Sequence, residues 1–388
     1  MKYDVAVIGG GASGLACAVR LLRKSRKIKL ALIDANERLG KKLASTGNGQ
    51  GNVTNLNMSP DKYFSSNINT VKDIALSSNG IAPEKELFHC ILQSDEKGRV
   101  YPSGRQASAL VDSLLSEIGG GNVDVFKGIK VTEIETGFKI TLSDGQKIFS
   151  DYVVVATGGK AQKQFKTDGS SYGLVKKFGH ETTPLFPSLV QLKTDTQYTK
   201  SLKGIRINCI VTALCKNQEI ATAAGDVIFT DYGVSGNAVF SVSPYVADKQ
   251  NAVLSLCLLD EADENIIADI RNKKNLGYPK SELLSGTLHN QIGRAVINRC
   301  QSDDEKVICN TLKNFTLKVF GTLGFDYAQV TKGGIEMSGV TDELESKFKK
   351  NLFFAGEILD VDGCCGGYNL HWAFSSAFAV ADAIIKRQ

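Results

Sequence analysis

"YDVAVIGGGASG", residues 3–14, begins as an apolar run rich in β-branched side chains and breaks into a glycine turn. The following "LACAVRLLRK" repeats its apolar residues at helical spacing, so the opening reads as strand, turn and helix. Gly9, Gly11 and Gly14 form G-x-G-x-x-G at the turn, where a missing Cβ lets the main chain approach a pyrophosphate. Ala12 and Ser13 complete the expected contact set, because the amides that open a helix have no partner within it. "KIKLALIDA" (27–35) is a second buried strand, which makes the opening a βαβ unit and predicts a parallel sheet. Asp34 stands twenty residues beyond Gly14 at the end of that strand, with Ala35 next to it, where a carboxylate accepts hydrogen bonds from ribose hydroxyls.

These features call for a dinucleotide and leave FAD and NAD(P) both open. Two distant segments separate them. "DYVVVATGG" (151–159) is an apolar strand that ends in Ala-Thr-Gly, which brings Thr157 and Gly158 into the expected site. "LFFAGE" (352–357) is an apolar strand that ends in Gly356 and Glu357. Two-dinucleotide-binding flavoproteins have both edges, and a simple NAD domain has no use for the second. The reading is therefore FAD.

Between these segments, the spacing predicts a helix from Ser103 through about Ile118. "VDVFKGIKVTEIET", "FKITLSD" and "QKIFSDYVVVATGG" follow as strands, with Asp144-Gly145 as a hairpin turn. The middle of the chain then changes character. "INCIVTALC" and "AVLSLCL" are strand-like, whereas Glu261 to Phe320 is charged and compatible with helix. From Gln329 the style of the opening returns, with "NLFFAGEIL" reading as a strand and "NLHWAFSSAFAVADAIIKR" as a closing helix. The expected fold is α/β: a Rossmann-type FAD domain in two parts, residues 1–188 and 328–388, interrupted by a β-rich and helical substrate module at 189–327.

A net charge of +5 is spread over 388 residues with no long run of like charge, so no nucleic-acid arm or membrane anchor is expected. Lys193, Lys200, Lys203 and Arg206 in the module read as a solvated face. No apolar run approaches the ~20 residues of a membrane span, and the start passes straight into a strand without a leader, so the expected location is the cytoplasm. Nine scattered cysteines suggest free thiols. The four histidines lack metal-ligand spacing, so no metal is expected.

"GKKLASTGNGQGNVTN" (40–55), "GDVIFTDYGVSGNAVFSVS" (225–243), "AQVTKGGI" (328–335) and "LFFAGEILDVDGCCGGYNLHWAFSSA" (352–377) together resemble a family of bacterial FAD proteins. That family includes the aminoacetone oxidases and the bile-acid dienone reductases. The resemblance implies that Lys42, Thr46, Asn48 and Asn52 lie beside the FAD, with side chains such as Asn48, Asn52 and Thr54 donating to it. Val131 joins this set. It also implies that Gly366, Gly367, Asn369 and Leu370, at the start of the closing helix, face the flavin, where the helix dipole stabilises negative charge. The family commonly has Arg-Cys where this chain has Gln50-Gly51.

The resulting expectation is an FAD-dependent oxidoreductase that reduces an activated C=C bond of a hydrophobic enone-type small molecule by hydride transfer from flavin N5. Tyr101 or His371 would supply the proton or stabilise the oxyanion. With a single G-x-G-x-x-G in view, NAD(P)H is expected as a transient electron donor. Two alternatives are an FAD-dependent oxidase of a small amine such as an aminoketone, and a flavoprotein that modifies or binds nucleic acid. The oligomeric state is left open.

Overall fold

The computed structural model describes residues 1–76 and 83–388, and the chain divides into two compact units. The first comprises residues 1–186 and 330–388, and the second residues 187–329.

The first unit is built on a seven-stranded sheet. Val123–Lys127, Leu30–Asp34, Lys2–Ile8, Lys147–Val155 and Leu352–Phe354 run parallel in that order, while Lys139–Leu142 and Val131–Ile134 add an antiparallel flank. Val5 to Ile8, Leu30 to Ile33, Val153 to Val155 and Leu352 to Phe354 are all buried, as a parallel sheet covered on both faces requires. The register aligns the strand ends: Ile8 pairs with Ile33 and Val155, and Val155 pairs with Phe354. Three glycine-bearing turns, after Ile8, Val155 and Phe354, therefore leave the sheet side by side. Crevices outside the carboxyl ends of such strands are where open α/β sheets bind ligands.

Two helices carry most of the covering. Ala12–Lys24 follows the first turn, and the closing helix Tyr368–Ile385 is buried over most of its surface. Arg20 ties the two together, its Nε and Nη2 donating to Asp382 at 2.8 Å each. The helix expected from Ser103 begins instead at Ala107 and runs to Gly119. Arg105 takes a left-handed φ of +45°, and its amide bonds back to Pro102, so Gly104-Arg105 is a turn and Ser103 caps nothing. The tract after Phe354 also departs from its reading as strand. Gly356 has φ +77°, and Gly356–Ile358 forms a single 3-10 turn.

The second unit is a closed six-stranded barrel. Its strands, in spatial order, are Leu192–Thr194, Gly233–Ser235, Gln218–Phe229, Arg206–Cys215, Val253–Cys257 and Phe315–Thr322, the last pairing back to the first. Helices Asn237–Val246, Asp263–Asn275, Asn290–Cys300 and Glu305–Lys313 accompany it. Val211, Ala213, Val227, Phe229, Leu254 and Leu256 are wholly buried in its core. The charged tract expected to be helical to Phe320 gives way at Phe315, where buried Phe315 and Leu317 alternate with more exposed neighbours. That two-residue period is a strand's, and this strand closes the barrel.

Among the described residues no helix is long and apolar enough to cross a membrane. None of the nine cysteines is in a disulfide.

Candidate active site

The first turn shows what each glycine does. A Cβ on Gly14 would lie 1.7 Å from the Gly9 carbonyl oxygen, and one on Gly9 would lie 2.3 Å from that of Ala156. Both glycines are packing contacts between turn, helix and strand. A Cβ on Gly11 would meet nothing within 4 Å, so the space over it is open. Gly11 is also the N-cap of the first helix and offers no side chain, leaving the amides of its first turn, around Ala12 and Ser13, directed outward.

Asp34 is fixed at the end of its strand. Its Oδ2 accepts from the Gly10 amide at 2.6 Å, and its Oδ1 accepts from the Asn36 amide at 2.6 Å and side chain at 3.0 Å. Ile129 and Gly128 donate their amides to the carbonyls of Asp34 and Asn36, at 3.0 Å each, so the turn leading to buried Val131 runs beside Asp34 and Ala35. Across the sheet, Thr157 Oγ1 is buried without a hydrogen-bond partner, and Gly158 turns with φ +73°. Buried hydroxyls are usually paired, and an oxygen of a ligand lying over this turn would supply the partner. An uncapped helix start, open space over Gly11, an orphaned hydroxyl and a held carboxylate together fit the pyrophosphate and ribose of FAD.

The other end of the site converges on the same turn. A Cβ on Gly356 would lie 2.6 Å from Ser13 Oγ. The Gly356 amide donates to Ser376 Oγ at 2.9 Å, and Trp372 Nε1 donates to its carbonyl at 3.2 Å, which bolts the strand end to the closing helix. Glu357 accepts from Lys42 Nζ at 2.9 Å and from the Thr331 amide at 2.9 Å. At the start of the closing helix Gly367 has φ +105° and its Cβ position lies 2.4 Å from the Thr54 carbonyl oxygen. Asn369 holds the preceding loop, its Oδ1 accepting from the Gly363 amide and its Nδ2 donating to the Gly363 carbonyl, at 2.8 Å each. Leu370 follows, half-buried, and the helix start has no side-chain cap.

The Ser45 to Asn55 tract is a tight coil in which Gly47, Asn48, Gly49 and Gly51 all have positive φ. Its side-chain donors differ from expectation. Thr46 Oγ1 donates to the Leu43 carbonyl at 2.7 Å, and Asn52 Nδ2 donates to the carbonyls of Thr54 (2.9 Å) and Val100 (3.1 Å). Thr54 Oγ1 sits 2.9 Å from His371 Nδ1. A coil this tight turns carbonyls inward, and the nearest hydroxyls and amides must satisfy them. The donor role expected of Asn52 and Thr54 is therefore taken by the protein itself. Gln50 accepts from the Arg105 guanidinium at 3.0 Å, so a cation does stand at that position.

Tyr101 is buried on the strand Arg99–Pro102, with the Arg105 guanidinium 4.4 Å over its ring and that of Arg99 at 6.0 Å. Arg99 Cγ lies 3.9 Å from where a Gly366 Cβ would stand, so this strand passes beside the closing-helix turn. Burial pushes the Tyr101 phenol up, the Arg99 and Arg105 charges pull it down, and the balance keeps it raised. The phenol thus holds its proton at neutral pH, and its hydroxyl bonds no other described residue. His371 is placed differently. It is 3% exposed, with Nε2 2.8 Å from the Ala75 carbonyl and Nδ1 2.5 Å from Glu84 Oε1. Both ring nitrogens are engaged inside the protein, which removes His371 as a proton donor to substrate.

Sequence reasoning did not reach Arg105, Glu84, Thr331 or Ser376. Arg105 lies four residues beyond Tyr101 and was open to notice; nothing in the sequence pairs Glu84 with His371. Among the described residues no group of three or more His, Cys, Asp or Glu could hold a metal ion.

The chain is similar to known proteins over nearly its whole length. The chain is 30% identical to a 3-dehydro-bile acid delta(4,6)-reductase of Clostridium scindens, with 99% of each chain covered. It is 26% identical to a ribosomal RNA dihydrouridine synthase of Escherichia coli, covering 99% of this chain and 98% of that one. Its fold resembles a quinol–fumarate reductase solved with menaquinol molecules, at a TM-score of 0.53 and 14% identity over 100% of this chain and 71% of the other. Matching the family described as the HI0933-like protein Rossmann domain over residues 3–383, the chain belongs to that family and is an FAD-dependent oxidoreductase.

Proposed function

We propose that the protein reduces a C=C bond conjugated to a carbonyl in a hydrophobic small molecule of the enone type. The observation that carries this reading is Tyr101: a buried phenol that keeps its proton under the Arg105 guanidinium, on the strand whose Arg99 side chain reaches the Gly366 turn. When bound, FAD in its reduced form supplies a hydride from N5 to the β-carbon. Gly11 and the first-helix amides, on a turn that Gly9 and Gly14 let pack tightly, would hold its pyrophosphate, Asp34 and Ala35 its ribose, and Val131 would flank the adenine end. Thr157, Gly158, Gly356 and Glu357 line its middle, with Lys42 set by Glu357. The coil amides around Thr46, Asn48 and Asn52, and the helix start from Gly366 and Gly367 to Asn369 and Leu370, surround the ring end. Negative charge grows on the substrate carbonyl as hydride arrives, and Tyr101 donates a proton to the α-carbon or a hydrogen bond to that oxygen. NAD(P)H is taken as a transient reductant, since only one G-x-G-x-x-G turn is present.

A second reading has the same chemistry on the uridine ring of ribosomal RNA, and the 26% identical relative favours it. Charge weighs on the other side. Residues 187–329 carry fifteen Lys and Arg against fifteen Asp and Glu, so this unit adds no net attraction for phosphate.

The test is an anaerobic titration of the purified protein: NAD(P)H to bleach the flavin, then a panel of steroidal and smaller enones. Substrate-dependent return of the yellow colour is expected, slowed about 100-fold in Tyr101→Phe at unchanged flavin content. Absence of reoxidation by every enone, with rapid peroxide formation from amines instead, would overturn the reading.

A further inference from the structure

A buried acid–base pair that the proposed chemistry does not use sits one turn inside the closing helix. Hydrogen-bond accounting constrains its protons. The Ala75 carbonyl, from helix Ile68–Leu76, can only accept, so His371 Nε2 carries a hydrogen. Glu84, from helix Pro83–Leu87, is 0% exposed, and its Oε1 lies 2.5 Å from Nδ1, which demands one proton between them. The other carboxyl oxygen, Oε2, is buried without a partner. Thr54, on the strand Thr54–Asn55, places Oγ1 2.9 Å from the same Nδ1, where it accepts a share of that hydrogen. Among the described residues no other charged side chain bonds the imidazole, and the Tyr63 phenol donates to the Tyr368 carbonyl at 3.2 Å.

We propose that His371 is a positioning residue held as an imidazolium by Glu84, and that this ion pair, with its cation one turn inside the closing helix, favours the reduced flavin. Burial works against the charged ring, and the hydrogen bond and charge of Glu84 outweigh it, leaving the imidazole raised above its ordinary value. The same contacts clamp Thr54, whose carbonyl oxygen stands 2.4 Å from where a Cβ on Gly367 would be, so charge and loop are set by one group. A net-neutral pair still has a direction. Its cation stands on the closing helix, one turn from Gly367, and its anion stands on the separate helix Pro83–Leu87. The inference rests on the FAD ring lying at Gly366 and Gly367 and not on the identity of the substrate.

The experiment compares the FAD-loaded protein with Glu84→Gln, His371→Gln and the double variant, measuring midpoint potential by anaerobic dye equilibration and FAD affinity by fluorescence. Each single variant is expected to lower the ratio of reduced to oxidised flavin at a fixed poise about tenfold, equivalent to about 30 mV for a two-electron couple. The double variant is expected to shift no further than either single one, since each single change already abolishes the ion pair. An unchanged potential in flavin-loaded single variants, or shifts that add, would overturn the proposal. Should Glu84→Gln fail to fold, ¹⁵N shifts of the ring nitrogens in the unmutated holoprotein decide. Two protonated nitrogens at pH 7.5 support the imidazolium, and a bare Nδ1 sinks it. Failure of the enone reading would appear in turnover alone and leave the potentials as they are.

Discussion

At the scale of single residues, the glycine turn separates two roles that one motif conceals. Gly14 has no room for a Cβ, since a backbone oxygen stands 1.7 Å from that position, whereas Gly11 faces open space. Gly14→Ala is therefore expected to destabilise the protein by about 4 kcal/mol or more, because main chain on both sides must move. Gly11→Ala should leave the apo-protein's thermal midpoint nearly unchanged while weakening FAD at least about tenfold, since the methyl group occupies the ligand's space. A thermal melt beside a flavin titration distinguishes them, and equal effects on both properties would refute the division of labour. The residue types of this turn were legible from spacing because glycine answers a local demand on the backbone. His371 was legible only as a position. What it does depends on Glu84, 287 residues earlier in the chain, and no periodicity links the two.

At the scale of elements, the site is made by strand ends and helix starts that tertiary bonds hold together. Ser376 illustrates this: its Oγ accepts from the Gly356 amide at 2.9 Å and donates to the Trp372 carbonyl at 2.6 Å. Ser376→Ala leaves a buried amide unpaired, for an expected loss of about 1–3 kcal/mol. The loss should appear as a lower urea midpoint at unchanged slope, together with weaker FAD retention, because Gly356 packs on Ser13 in the first helix. An unchanged midpoint would show that water or a rotated backbone serves the amide as well. The strands were readable as apolar runs, since a sheet covered on both faces needs little else. Two boundaries were not. The helix start slipped from Ser103 to Ala107 because Arg105 adopts a left-handed conformation that a propensity argument assigns to glycine or asparagine. The closing strand of the barrel hid in charged sequence because only Phe315 and Leu317 of its first half are fully buried.

At the scale of the whole molecule, two buried histidines tilt stability with pH in opposite directions. His180 is 2% exposed, bonds Ser346 Oγ through Nε2 at 2.6 Å and packs edge-on against Phe348 and Phe354. Burial lowers it from 6.5 to about 4, so the unfolded chain takes up the proton first. Its contribution therefore stands in full above pH 6.5 and is lost as pH falls towards 4, on the order of 3 kcal/mol across that window. His371 is raised, so its contribution is complete below its ordinary value and is lost as pH rises through its folded one. His180→Gln should flatten the acid limb of a stability–pH curve and spare the alkaline limb, and an unaltered acid limb would assign that loss to carboxylates. Electrostatics at this scale also bears on the partner. An enzyme that works on ribosomal RNA draws much of its affinity from phosphate neutralisation and releases counterions in proportion to the contacts made. Here the excess of +5 belongs entirely to residues 1–186 and 330–388, because the barrel unit is balanced at fifteen charges of each sign. Within the first unit many of those cations are already paired, among them Lys42 with Glu357, Arg99 with Asp95 and Arg20 with Asp382. A fluorescent ribosomal RNA fragment is accordingly expected to show no saturable binding at about 150 mM salt and only weak, steeply salt-dependent binding below about 50 mM. Tight binding whose logarithm falls with log salt at a slope of about −5 or steeper would mean several specific phosphate contacts, and would move the uridine ring ahead of the enone as substrate.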